Sequence, residues 1–151
     1  MHSFKITFSI VGRILLCVVF ILAGIHKIMN WDGTLQALQT ALDNWKMYSG
    51  PNPLFGVINL MQEYLTFTLG LAIAFEILGG LFVLIGVLPR FGAILLIIFL
   101  STATILFYPF WYIESPERNT QLVGFMKNLA ILGGLFVVFG FGSGFRSKSN
   151  L

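Results

Sequence analysis

TFTLGLAIAFEILGGLFVLIGVL, residues 66–88, decides the fold: it is a long apolar run whose only charge, Glu76, lies near its middle. A helix of about 17–25 such residues crosses the hydrocarbon of a bilayer. A carboxyl group at that depth costs about 2.5–3.5 kcal/mol on insertion scales, and ionisable groups kept at such a cost face a bundle interior, take a partner and mark a functional site. Glu76 is therefore the first candidate site residue.

Working outward, three further runs reach spanning length: residues 8–25, 91–108 and 123–141. The chain is 57% hydrophobic and 10% charged, with a mean hydropathy of +0.89, far from the roughly 25% charge of a soluble globule. Backbone groups in lipid must be satisfied internally, and unbroken apolar runs without period-2 alternation exclude a β-barrel. The fold expected is all-α: one membrane-embedded four-helix up-down bundle over residues 1–151. The first run begins with His2 and Lys5, as a secretory signal does, but it exceeds a typical signal core and lacks a small-x-small cleavage signature before Asn30. It is read as a span.

Lys5, Arg13, Arg90, Arg146 and Lys148 fall at one end of the bundle, with no acid among them. The positive-inside rule makes that end, and both termini, cytoplasmic. Trp31, Trp45, Trp111, Tyr48, Tyr64, Tyr108 and Tyr112 fall at the other, with Asp32, Asp43, Glu63, Glu114 and Glu117, as an outer aromatic belt. The net charge of +3 is thus a topology signal and implies no nucleic-acid partner.

Residues 29–65 are too many for a plain helix–helix link. Asp32 or Thr34 can cap a helix carrying Leu35, Leu38, Leu42 and Trp45 at helical spacing, an amphipathic interfacial segment between spans one and two. Ser49-Gly50-Pro51-Asn52-Pro53 breaks it, and Leu54, Ile58, Met61 and Leu65 form a second stripe leading into span two. The segment reads as a cap over the outer end, with a substrate lid as the alternative. The second outer connection, residues 109–122, reads as short and polar after an aromatic start.

Ile77-Leu78-Gly79-Gly80-Leu81-Phe82-Val83 recurs letter for letter as Ile131-Leu132-Gly133-Gly134-Leu135-Phe136-Val137. The two copies lie on spans that run in the same direction, unlike the inverted repeats of many transporters. Convergent use of small residues at helix contacts and ancient duplication both account for it. As a depth gauge, the repeat sets Lys127 about 4.5 Å nearer the outside than Glu76, which predicts a Glu76–Lys127 ion pair. Arg13 competes for Glu76 or snorkels to the headgroups.

His26 and Lys27, at the outer end of span one, read as interface anchors or as site residues. Asn128 is a candidate for a hydrogen bond across the bundle, and Ser101, Thr102 and Thr104 for bonds back to their own helix. His2 and His26 are the only histidines and Cys17 the only cysteine, so neither a metal set nor an internal disulfide relay is expected. Gly140 and Gly144 form a small-xxx-small pair at the inner end.

Gly12-Arg13-Ile14-Leu15-Leu16, Gly24 to Lys27, Glu76 with Gly79-Gly80, Ala103-Thr104, Phe110-Trp111 and Lys127-Asn128 with Gly133-Gly134 together resemble the DoxX family of small four-span membrane proteins. Where family members often carry His before the Phe-Trp element, this chain has Tyr108-Pro109-Phe110-Trp111. The resemblance implies an inner-membrane subunit of a redox complex that binds a quinone or similar amphipathic molecule near Glu76 and Lys127, with Arg13, Asn128, His26 and Lys27 as further ligand- or proton-handling candidates. No haem, flavin or iron–sulfur motif is evident, so electron transfer would need a soluble or peripheral partner. A homo-oligomer is left open. The alternative is a non-catalytic scaffold or assembly factor whose buried charges fix helix register. A transporter is least favoured, since four unbroken spans are few for alternating access.

Overall fold

Lipid offers the backbone no hydrogen-bond partners, so each apolar run closes its own as a helix. The computed structural model describes residues 2–51, 53–114 and 116–142, with side chains from residue 7 onward. The readings placed on the side chains of His2 and Lys5, and on Asn52, Gly144, Arg146 and Lys148, lie outside the described residues. Six α-helices account for most of the chain: α1 (His2–Met29), α2 (Trp31–Ser49), α3 (Phe55–Glu63), α4 (Leu65–Ile85), α5 (Pro89–Phe107) and α6 (Glu117–Phe141), with a 3-10 turn at Phe110–Tyr112 before α6. Among the described residues there is no strand. Helices α1, α4, α5 and α6 are each long and apolar enough to cross a membrane.

In the bundle, α1 packs on α4, α4 on α5 and α5 on α6, while α6 and α1 touch only lightly. Glycines set two of these approaches. A Cβ on Gly80 would fall 3.0 Å from Ile21 Cγ1 and 3.6 Å from the Cys17 carbonyl oxygen, so α1 lies close against α4 there. On the other side of α4, Gly79 meets Gly92 and Leu96 of α5. The α4–α5 reversal needs a left-handed residue after α4, which Gly86 supplies at φ 76° while its N–H donates to the Phe82 carbonyl at 3.1 Å. Leu88 adopts φ 64° just before Pro89 opens α5.

Two apolar clusters stack along the bundle axis. The inner one joins Cys17 and Phe20 of α1, Val83 of α4, Ala93, Leu96 and Leu100 of α5, and Leu132 and Leu135 of α6. The outer one joins Leu38, Leu42 and Trp45 of α2 with Ile58 of α3 and Leu69 and Ile73 of α4. Thus the apolar stripe read on residues 35–45 is buried against the outer half of α4.

Several boundaries differ from the sequence reading. Helix α2 starts at Trp31, directly after the N-cap Asn30, whose side chain makes no cap bond. Thr34 lies inside the helix with its Oγ1 donating to the Asn30 carbonyl at 2.7 Å, and Asp32 sits in the first turn, where a negative charge suits the helix dipole. Only Tyr64 separates α3 from α4. The connection read as residues 109–122 is shorter, because α6 already begins at Glu117. Polar residues there are tolerated in a helix that extends beyond the hydrocarbon.

Candidate functional site

The site begins at Gly24. With no side chain, it lets α1 settle onto α4 so closely that a Cβ there would fall 2.5 Å from Ile77 Cγ1 and 3.6 Å from Glu76 Oε2. Lys27 lies three residues further along α1 and so on the same face. Its Nζ donates to Glu76 Oε1 at 2.9 Å and to Oε2 at 2.8 Å. The Glu76 side chain is 3% exposed and that of Lys27 27%. The pair therefore joins the two apolar clusters at the middle of α4. The ammonium also lies 5.5 Å from the centroid of the Phe99 ring of α5, a cation–π contact.

The predicted Glu76–Lys127 pair is not formed. Lys127 is exposed on α6, and Lys27 holds both oxygens of Glu76. The glycine pairs do not meet α1 at one level either, Gly80 lying against Ile21 and Gly134 against Leu16, five residues nearer the N-terminus. Neighbourhood decided the partner, because α5 stands between α4 and α6 and Glu76 looks toward α1 and α5. The signal available in the sequence was the i, i+3 spacing of Gly24 and Lys27, which puts the closest helix approach and a cation on one face.

Arg13 does not climb to Glu76. Its Nη2 donates to the Gly142 carbonyl at 3.2 Å and its Nη1 lies beside Gly86, so it binds the inner ends of α6 and α4. His26 is exposed and Asn128 half-buried. Thr102 and Thr104 bond back to the carbonyls of Ile98 and Leu100, at 2.9 and 2.5 Å. Tyr108, just before the Phe-Trp element, lays its ring on Gly124 of α6, where no side chain would fit. Its position is accounted for by packing.

A second feature was not legible from sequence. Outward of the Gly79–Gly92 contact, α4 and α5 together with α2 and α3 line a groove of about 700 Å³. Phe67, Leu71 and Phe75 of α4 face Phe99, Ala103 and Leu106 of α5 across it. Two of its few polar side chains, Thr68 and Thr102, donate to the carbonyls of Met61 and Ile98, so those hydroxyls are spent within the protein. Phe99 belongs to both features, lining the groove and lying beneath the Lys27 ammonium. An apolar cavity of this size suits an apolar or amphipathic guest, and Lys27, which does not line it, is linked to it through Phe99. Among the described residues no three His, Cys, Asp or Glu side chains gather to hold a metal.

Comparison with known proteins follows the same lines. The DoxX family model matches residues 8–109. The chain is 22% identical over 129 residues to Inner membrane protein YphA of Escherichia coli (strain K12), a match that covers 85% of this chain and 79% of that protein. No solved structure matches it.

Proposed function

Since this chain belongs to the DoxX family, and its bundle holds one buried ion pair beside one apolar groove, we propose that it binds a quinone or similar amphipathic molecule as a subunit of a membrane redox complex. The apolar tail lies between α4 and α5, and the polar head lies toward Lys27 and Glu76. The observation that carries this reading is Phe99, whose ring is shared by the groove and the Lys27 ammonium. An ammonium has three N–H donors. Two are spent on Glu76, which leaves one for a carbonyl oxygen of the guest. The family and the relative's name support placing the chain in a bacterial inner membrane, with both termini cytoplasmic by the positive-inside rule. Electrons would come from a partner protein.

The test is organic extraction of the purified protein, with mass spectrometry of what it releases. A quinone retained by the unmodified protein, lost when Ala103→Trp fills the groove and weakened by Glu76→Gln, is expected. Extracts free of quinone, together with no binding of added quinone, overturn the reading.

One observation favours a second reading. Lys27 occupies both oxygens of Glu76, as a pair that fixes helix register does. In that case the protein is a scaffold or assembly factor. Glu76→Gln would then spare membrane redox activity and quinone binding while assembly of a partner fails.

A further inference from the structure

A second cavity, of about 450 Å³, lies at the outer end between α2 and the connection from α5 to α6. Gln36, Asn44 and Tyr48 of α2 and Gln121 of α6 line it, and none of its lining side chains is charged. Gly33, Ala37 and Ala41, spaced by four on one face of α2, put no bulk into the space. Phe107 and Ile113 belong to the wall across from them. The polar groups here are unspent. Among the described residues, the carboxamides of Gln36, Asn44 and Gln121 and the hydroxyl of Tyr48 make no hydrogen bond within the protein. Gln121 Oε1 is closed off from solvent as well, an orphaned acceptor of the kind folded proteins seldom keep. The groove is the reverse case, since Thr68 and Thr102 spend their hydroxyls on backbone carbonyls.

We propose that this pocket binds a neutral polyhydroxylated molecule of the sugar type, a site separate from the groove and independent of what the groove holds. The volume falls in the range of small-molecule sites, about 300–1,000 Å³. A charged guest would find no counter-charge on the walls, and burying it unpaired is costly. A quinone head offers acceptors only and cannot serve Gln121 Oε1. Hydroxyls both give and accept, and so does a carboxamide, with one oxygen and two N–H donors. Three carboxamides and a phenol around one cavity therefore match a ring of hydroxyls, whose C–H face packs on Phe107 and Ile113. The Tyr48 ring is held for this by stacking on Tyr112, with centroids 5.7 Å apart and planes at 20°.

Equilibrium dialysis of the purified full chain against radiolabelled glucose, galactose and maltose tests this, in an amine-oxide detergent that itself carries no sugar. Saturable binding of at least one of the three is expected, with unlabelled glucosamine and glucuronate, the cationic and anionic counterparts, competing about tenfold or more less well. Gln121→Leu and Asn44→Leu should each raise the Kd about tenfold, the worth of one hydrogen bond to a buried amide. Gln39→Leu, on α2 but outside the pocket, should leave it unchanged. No saturable binding of any of the three sugars overturns the proposal, as does equal competition by the charged counterparts or a Kd indifferent to both pocket variants. Should Gln121→Leu fail to accumulate, Asn44→Leu decides.

Discussion

Gly79 and Gly92 meet backbone to backbone across α4 and α5. A Cβ on Gly79 would lie 3.0 Å from the Gly92 carbonyl oxygen, and one on Gly92 would lie 2.7 Å from that of Gly79. This contact lies one turn inward of Glu76 and is where the two helices are pinned. The apolar groove lies outward of it, lined by residues of the same two helices.

The same heptapeptide on α6 gives the contrast. A Cβ at Gly133, the counterpart of Gly79, would meet nothing within 4 Å. Gly92→Ala is therefore expected to destabilise the bundle by about 1–3 kcal/mol through overpacking. Gly133→Ala should be neutral or stabilise by up to about 1 kcal/mol from helix propensity alone. Unfolding in detergent micelles measures both, and equal losses would show that α6 is packed as tightly as α4.

Breaking the Lys27–Glu76 pair from one side should cost more than removing it. Lys27→Met leaves a carboxylate with 3% exposure unpartnered, a change typically worth about 3–5 kcal/mol. The double variant Lys27→Met, Glu76→Met should recover much of that loss. A double-mutant cycle reads the coupling directly, and the matching cycle between Glu76 and Lys127 should return none. Coupling of Glu76 to Lys127 in place of Lys27 would contradict the geometry.

How much of this was legible in the sequence depended on what each residue's neighbours had to do. Hydropathy alone located all four spans, and Leu38, Leu42 and Trp45 declared α2 by their spacing, because burial is a property of a helix face. Glu76 was identified because its cost is independent of context. Its partner was not, since depth can be counted along a helix but the order of helices around the bundle cannot. Lys27 looked like an anchor at the end of a run. In fact α2 begins two residues after α1 ends and covers the outer end of the bundle, so the lysine turns inward. The groove is lined by residues of α2, α3, α4 and α5 together, an arrangement no single residue encodes.

At the inner end, two arginines converge on the carbonyls that close α6. Arg13 reaches Gly142 at 3.2 Å, and Arg90 reaches Gly140 at 3.4 Å. The last carbonyls of a helix lack intrahelical partners and carry its negative pole, so a guanidinium there both satisfies and neutralises. Arg13→Met should raise amide exchange in the last turn of α6 by about tenfold or more, the worth of one charge-assisted bond. Exchange around Glu76 should be unchanged. A response at Glu76 would mean that Arg13 acts on the site itself.

At the outer end, Trp45 of α2 performs the corresponding task for α5. Its Nε1 donates to the Ile105 carbonyl at 3.0 Å, and Ile105 lies in the last turn of α5, where carbonyls have no helical donor. The indole ring also meets Trp111 and Tyr112 edge-on, with centroids 6.1 and 5.6 Å apart. Trp45→Phe keeps a ring for packing and removes the donor, and the carbonyl it leaves is only partly reached by water. A loss of about 1 kcal/mol is expected, and it should be local, because the inner cluster contains no α2 residue. Limited proteolysis at the Gly50–Pro51 junction is the sensitive measure: cleavage there should accelerate in Trp45→Phe while the four long helices stay protected. Unchanged cleavage would show that α2 is held by its apolar stripe alone and that the indole bond contributes nothing to seating it.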